Sequence, residues 1–372
     1  MTTLQLEYEA DELLADHSFA EPLVVDGQRC HGGFDEDGAY RSPRTRLRVP
    51  AIEAWEAERA ATFGTPLLDV PLETWPEPFP NVTQTKFLLR HGVTGPTVAQ
   101  LTRIGTVEGF GSLLRTLPLP DFRRCLAEDV TGTAIDHLGR GLFEAHARDE
   151  AGFGEQAGHD RMWFAARDVA FGHPPVEDLR ARMLARMGIG PKPKSEAHLV
   201  EARRAALAAR VLPSDVDFDL ETVVARMIGL LLIELSAFHT FAWAQAVLSD
   251  SDLVAGDGEP PRVVGYIRAD ETPHVSYLRT ALSELRDRTW VGSSGATYAG
   301  TEMVSLLWDR ALSDSLVLRR QENLRFAMAE IELAVAGRAD GDDLVEELLS
   351  LGEVARLPDG SLVDATGDHL LG

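Results

Sequence analysis

Cysteine is almost absent: Cys30 and Cys125 are the only two in 372 residues. Two cannot build a disulfide framework or a cysteine-rich zinc site, so a reducing, cytoplasmic setting is expected. Basic residues are also scarce, with 36 Lys and Arg against 59 Asp and Glu and a formal net charge of −23. A nucleic-acid binder needs a dense basic face, and anionic lipid attracts basic segments, so neither nucleic acid nor membrane is expected as a partner. Residues 1–19 are acidic and lack the basic-then-apolar layout of a signal peptide. There is no Gly-x-Ser-x-Gly elbow and no repeat of fixed period. The glycines of "GTVEGFG" and "GSSGATYAG" lack the strand–turn–helix setting of a nucleotide loop. One long apolar run exists, residues 227–248. Its length is near the ~20 residues that span a bilayer. Glu234 and His239 interrupt it, however, and an acidic side chain is costly at membrane depth. A helix apolar on every side equally suits the centre of a bundle.

Apolar residues make up 44% and charged residues 26% of the chain, enough for a sizeable core. Residues 1–95 are rich in turn formers and read as an irregular cap or wrap, with a short helix at 50–62 and a few short strands. Residues 96–340 read as a bundle of long helices at 97–117, 121–150, 155–171, 194–211, 217–249, 261–288 and 301–336. Pro273 should kink or restart the 261–288 helix near Asp270. Residues 341–372 form an acidic tail with a short helix near 343–350. The fold class expected is mainly α, a helix bundle.

Within that bundle one constellation carries chemistry. Glu271 and His274 stand at i and i+3 and share a helical face. Glu234 is the lone acid in the apolar run, and a buried Glu is almost never unpaired. Residues equidistant from the loop of an antiparallel pair lie at one height, so Glu234 and Glu271 can face each other. Plainer readings are a solvated Glu-His face and a buried ion pair from Glu234 to Arg226 or Arg268. The first half has no contiguous Glu-x-x-His. The nearest pattern is Glu155 and His159 at i and i+4, with Glu144 placed at the same height across the glycine turn at 152–154. Glu128, His146 and Glu150 compete for these roles. His239 lies five residues from Glu234, off its face, and reads as a core histidine or one standing behind the ligands.

The pattern Glu234 … Asp270-Glu271-x-x-His274 resembles one half of the ferritin-like di-metal carboxylate superfamily, and most of all its N-oxygenase-type branch, over residues 121–288. The resemblance implies a ferritin-like bundle with Glu144, Glu155, His159, Glu234, Glu271 and His274 as metal ligands. It implies that Asp270 holds the histidine of the partner motif from behind. It further implies two iron ions (Fe/Fe, or Mn/Fe), with O₂ as co-substrate and a small organic substrate. The reaction would be hydroxylation, N-oxygenation, desaturation or oxidative cleavage. A reductase or ferredoxin as electron donor, and a homodimer, are compatible with this reading. Two alternatives stay open. One is a haem-oxygenase-like di-metal oxidase, whose three histidines and three carboxylates would enlist His146 and His239. The other is a metal-free helical binding or assembly protein.

Overall fold

The computed structural model describes residues 5–186, 189, 201, 203–205, 207–352, 354–359, 361–363 and 369–371. The helices that matter are α1 (Gly95–Glu108), α2 (Phe143–Ala151), α3 (His159–Phe171), α4 (Phe218–Leu248), α5 (Glu259–Asp270) and α6 (Thr272–Arg286). The architecture is mainly α, as the periodicity predicts. The expected helix over 194–211 lies largely outside the described residues.

The central rod is α4. Asp217 caps it by accepting from the N–H groups of Asp219 and Leu220, and Asp219 and Glu221 in the first turn suit the positive end of the helix dipole. Val223, Val224, Met227, Ile228 and Leu231 are fully buried in the main core. Each such side chain contributes roughly 1.5–3 kcal/mol of burial, which outweighs the modest helix propensity of the β-branched ones. Among the described residues no helix is long and apolar enough to cross a membrane.

Around this rod the chain runs in two broken helices. α1 continues as a 3₁₀ stretch, Gly109–Thr116. α3 packs on α1 and α2 packs on the 3₁₀ stretch, so α2 and α3 together form one interrupted rod antiparallel to residues 95–116. α5 and α6 likewise form one rod, and both pack on α4. Gln245 near the end of α4 meets Gly265 and Arg268 of α5, as an antiparallel pair requires. α3 packs on α5 and joins the two halves.

Several expected boundaries are corrected. The helix expected over 121–150 is broken into Phe122–Cys125, Ala134–His137, a π-turn Leu138–Leu142 and α2. Gly141 explains the last break, because its φ of 142° is one that residues with a side chain rarely adopt. The 261–288 helix ends at Asp270 and restarts at Thr272, where Pro273 sits in the first turn and needs no backbone donor. The 301–336 helix carries a π-helical stretch, Asp314–Arg319, between Gly300–Ser313 and Arg320–Val335. The short C-terminal helix spans Gly341–Leu351.

The N-terminal residues wrap the bundle and share its cores. An antiparallel sheet of β1 (Glu21–Val25), β2 (Gln28–Phe34) and β3 (Tyr40–Arg41) lies against it. Leu23, Val25 and Cys30 pack with Trp163 of α3 and Val264 of α5. Ile52 and Trp55, from the helix Arg48–Phe63, pack in the main core with Val223 and Leu278. Leu88, from the helix Val82–Arg90, packs with Met328 and Leu348, which ties the wrap to the C-terminal helix.

Candidate metal centre

Glu234, Glu271 and His274 are all buried and come together. Glu271 Oε2 lies 2.6 Å from His274 Nδ1, the short contact that i, i+3 spacing allows. Neither Arg226 nor Arg268 pairs with Glu234. Its neighbour is His146 Nε2, 3.4 Å away, and the His146 ring stacks on His274 with centroids 3.8 Å apart.

The first half supplies Glu108, His146, Glu150 and His159. Glu144 does not take part. It is half-buried on the outside of α2, bound to Arg148 at 2.7 Å and Arg115 at 3.5 Å. Six residues separate it from Glu150, about 240° round the helix, so the two cannot share a face. Glu155 is exposed on a loop between α2 and α3. Glu128 accepts from the backbone and hydroxyl of Thr289 instead.

The loop explains why. The chain does not reverse at 152–154. A Cβ built on Gly158 would stand 2.2 Å from Gly152 N and 2.7 Å from Glu150 O, so Gly158 occupies the place directly after Ala151. Residues 152–157 are looped out, closed by a Phe153–Gln156 bridge and pinned by a parallel bridge between Ala157 and Cys30 of β2. With that excursion removed, the first half reads Asp149-Glu150-Ala151-Gly158-His159, the same Asp-Glu-x-x-His order as Asp270 to His274. Gly111 makes room for it, because a Cβ there would lie 2.3 Å from Glu150 Cγ. Two signals for this reading are in the sequence. Asp149-Glu150 repeats Asp270-Glu271, and Glu108 precedes Glu150 by 42 residues much as Glu234 precedes Glu271 by 37.

The donors form two overlapping groups, each with atoms within 4.8 Å of one another: His146, Glu150, Glu234 and His274, and Glu108, Glu150, His159 and Glu271. Glu150 belongs to both. Glu271 reaches His159 Nδ1 at 2.8 Å and His274 Nδ1 at 2.6 Å, so it too faces both. His146 Nε2, Glu150 Oε1, His159 Nδ1 and Glu271 Oε1 are buried, form no well-aligned hydrogen bond and meet other members of this centre at 2.8–3.5 Å. Buried polar groups that are poorly paired are costly, and four of them converging here could hold cations. Four carboxylates also match the charge of two divalent ions, with the three imidazoles neutral. The residues present therefore fit a two-metal group.

Without metal, protons carry that charge. Burial, then Glu271 and Glu150, push the Glu234 carboxyl well above its usual range. Burial, then Glu150 and Glu271, do the same to Glu108. Burial disfavours a charged His159, but Glu271 and Glu150 override it and hold the imidazole well above the ordinary histidine value. Burial likewise opposes charge on His274, and Glu271 overrides it there. His146 goes the other way, lowered to about 3 by burial and by the neighbouring His274.

Each imidazole is aimed from behind, and the two halves do this for each other. His274 Nε2 lies 2.9 Å from Asp149, the residue before Glu150. His159 Nε2 lies 3.6 Å from Asp270, the residue before Glu271. His146 Nδ1 lies 3.0 Å from the Tyr277 hydroxyl. Such partners fix which ring nitrogen points inward. The N-terminal wrap adds a further ring of support that the sequence does not reveal. Arg44 Nε and Arg48 Nη2 donate to Asp149 at 2.7 and 2.8 Å. Tyr40 donates to Asp270 at 2.8 Å, and His31 Nε2 stands 3.3 Å from the same carboxylate. His239 is not behind the ligands. Its Nε2 is 3.0 Å from the Leu72 carbonyl, on another face of α4. No protein-family model, curated protein or solved structure matches the chain.

Proposed function

We propose that this chain is an O₂-activating di-metal oxidoreductase acting on a small organic molecule, with two irons, or manganese and iron, held by Glu108, His146, Glu150, His159, Glu234, Glu271 and His274. The observation that carries this reading is the pair of overlapping donor groups sharing Glu150, buried at the centre of a helical protein. Carboxylate and imidazole donors in this number suit iron and manganese, and a bound pair would supply the activation of O₂ that no amino-acid side chain can. The chain's own part is to hold and orient. Asp149, Asp270 and Tyr277 set the imidazole tautomers, and the surrounding core excludes water. Glu108 is the half-buried member of the set, and residues 109–112, which follow it in the chain, are also half-buried. That side offers a small molecule its approach.

The haem-oxygenase-like alternative gains His146 as a donor but loses His239, and four carboxylates exceed its three. A metal-free assembly protein would have to bury the same four carboxylates balanced only by protons on Glu108 and Glu234 and on His159 and His274, a costly arrangement that assembly does not require. The test is metal content and O₂ uptake. Protein reconstituted anaerobically with Fe(II) should hold about two ions per chain and consume O₂ on exposure to air. A chain that retains no metal, or retains it without taking up O₂, overturns the reading.

A further inference from the structure

The carboxylates behind His274 and His159 are held in electrically different ways, and the N-terminal wrap supplies every group that makes the difference. Behind His274, Asp149 is wholly buried and meets two guanidinium groups. Arg44 Nε donates to its Oδ1 at 2.7 Å and Arg48 Nη2 to its Oδ2 at 2.8 Å. Both arginines are buried, and among the described residues neither forms an ion pair with any other acid. Asp16, half-buried, accepts from the Arg44 backbone N–H and not from the guanidinium. Arg48 also donates to the Pro43 carbonyl, while its Nε and Nη1 have no partner. Two cations on one anion leave this cluster with a net positive charge. Arg44 holds a φ of 51°, a conformation that residues with a side chain rarely adopt and that tends to be kept where a site needs it.

Behind His159, Asp270 is as deeply buried but meets no fixed cation. The Tyr40 hydroxyl donates to its Oδ2 at 2.8 Å, His31 Nε2 stands 3.3 Å from the same oxygen, and Oδ1 has no partner. Tyr40 is neutral and His31 carries no fixed charge, so nothing permanent offsets this carboxylate. The ligands themselves are balanced. Glu150 and Glu271 face both histidines, and each side adds one carboxylate of its own, Glu234 or Glu108. His146, the extra member on the His274 side, is an imidazole and brings no carboxylate charge.

The surroundings therefore decide how the two sides differ. An ion that gives up an electron gains positive charge, which net positive neighbours oppose and net negative neighbours favour. Inside a protein such charges act through a low effective dielectric. The contact to Asp149 is the shorter of the two, 2.9 Å against 3.6 Å, and alone would make His274 the stronger donor. Two whole charges on the same carboxylate outweigh that polarisation.

We propose that Arg44 and Arg48 on one side and Tyr40 on the other are positioning residues that make the two metal ions unequal. The ion beside His159 gives up its electron first, and the ion beside His274 is held in the lower oxidation state. The proposal rests on the di-metal reading and adds to it an order of oxidation.

Mössbauer spectra of the full chain loaded with isotope-enriched Fe(II), recorded along a potentiometric titration with soluble mediators, test it. The reduced protein should show two doublets, one of which turns ferric first. Arg48→Gln, which removes one charge, should make the later oxidation about tenfold easier, ~60 mV for one electron, and should move that doublet alone. Arg48→Lys keeps the charge and loses the fork, so it should recover most of the shift, which an arginine of merely structural use would not allow. Tyr40→Phe should move the other doublet alone, by a few-fold in the same direction, because Asp270 loses a donor that draws on its charge. Melting curves check that the variants fold, and Arg44→Gln with Arg44→Lys repeats the charge test at a second position. Simultaneous oxidation of both ions, oxidation that begins at the doublet Arg48→Gln moves, or equal shifts from the Gln and Lys variants overturns the proposal and leaves the di-metal reading standing. A chain that holds no iron overturns both.

Discussion

The two halves of the bundle hold the same parts in different sequence spacing. The first has Glu108, then Asp149-Glu150, then His159. The second has Glu234, then Asp270-Glu271, then His274. In both, the helix breaks at the Asp-Glu pair or one residue beyond it: at Glu271 in the second half and after Ala151 in the first. The second half breaks at a proline and loses no register, so Glu271 and His274 stay three apart. The first half breaks through a six-residue excursion, residues 152–157, pinned to β2 by the Ala157–Cys30 bridge. The donors still reach the same places. What the site demands is position, and a helix interrupted by a closed loop can meet that demand as well as a continuous one.

The sharpest break in the comparison comes from the residue both donor groups share. Glu150→Ala should abolish binding of both metals, while Glu144→Ala and Glu155→Ala should leave metal content unchanged. Elemental analysis of the three purified variants decides between Glu150 and the residues that sequence spacing favours. Loss of metal from Glu155→Ala would overturn the looped-out reading.

Next in size are the histidines. His159→Ala and His274→Ala should each lose about one ion per chain or bind both weakly, because losing even an orienting partner costs ~10–100-fold. If His274→Ala empties the site and His159→Ala does not, the two halves are not equivalent and the resemblance between them is superficial.

The orienting carboxylates should then separate the halves. Asp270→Asn and Asp149→Asn should each weaken metal affinity by ~10–100-fold. Asp149→Asn should also destabilise the fold, by up to ~3–5 kcal/mol, because Arg44 and Arg48 are buried and would lose their counter-charge. Chemical denaturation of both variants, with chelator present, isolates that difference. Equal stability would show that the wrap contributes nothing through Asp149.

The smallest effect is in pH. Glu108, Glu234, His159 and His274 all have raised values in the metal-free fold. Groups raised on folding stabilise most at low pH, and that stability is lost as pH rises through their folded values. Once pH exceeds the unfolded values, about 4.3 for Glu and about 6.5 for His, the folded protein keeps protons that the unfolded chain has released, so the metal-free protein should lose melting temperature as pH rises through neutrality. The loaded protein, in which metal has replaced those protons, should change less. Parallel pH profiles with and without chelator would contradict this.

The second half was legible because its chemistry is local. A single Glu in an apolar helix has no structural excuse, Glu271 and His274 share a turn, and Pro273 announces its own kink. The first half was hidden by one false inference, that the glycines at 152–154 reverse the chain. Reversal favours Glu144 and a loop residue, Glu155, whereas continuation favours Glu150, whose face also carries His146 one turn earlier. Glu108 was hidden differently: it lies within the helix expected over 97–117, but no Glu-x-x-His pattern accompanies it there, and the glycines of "GTVEGFG" serve close packing against α2 and α3. His31, Tyr40, Arg44 and Arg48 could not be read at all. They act over sequence separations above 100 residues, from a segment whose own pattern says only turns and short strands.

The most direct measurement of the central claim is anomalous diffraction at the iron edge from crystals of Fe(II)-loaded protein. The account predicts two peaks about 3.5–4 Å apart. One should lie among His146, Glu234 and His274 and the other between Glu108 and His159, with Glu150 and Glu271 reaching both. A single peak, or two peaks of which neither touches Glu150, would contradict it.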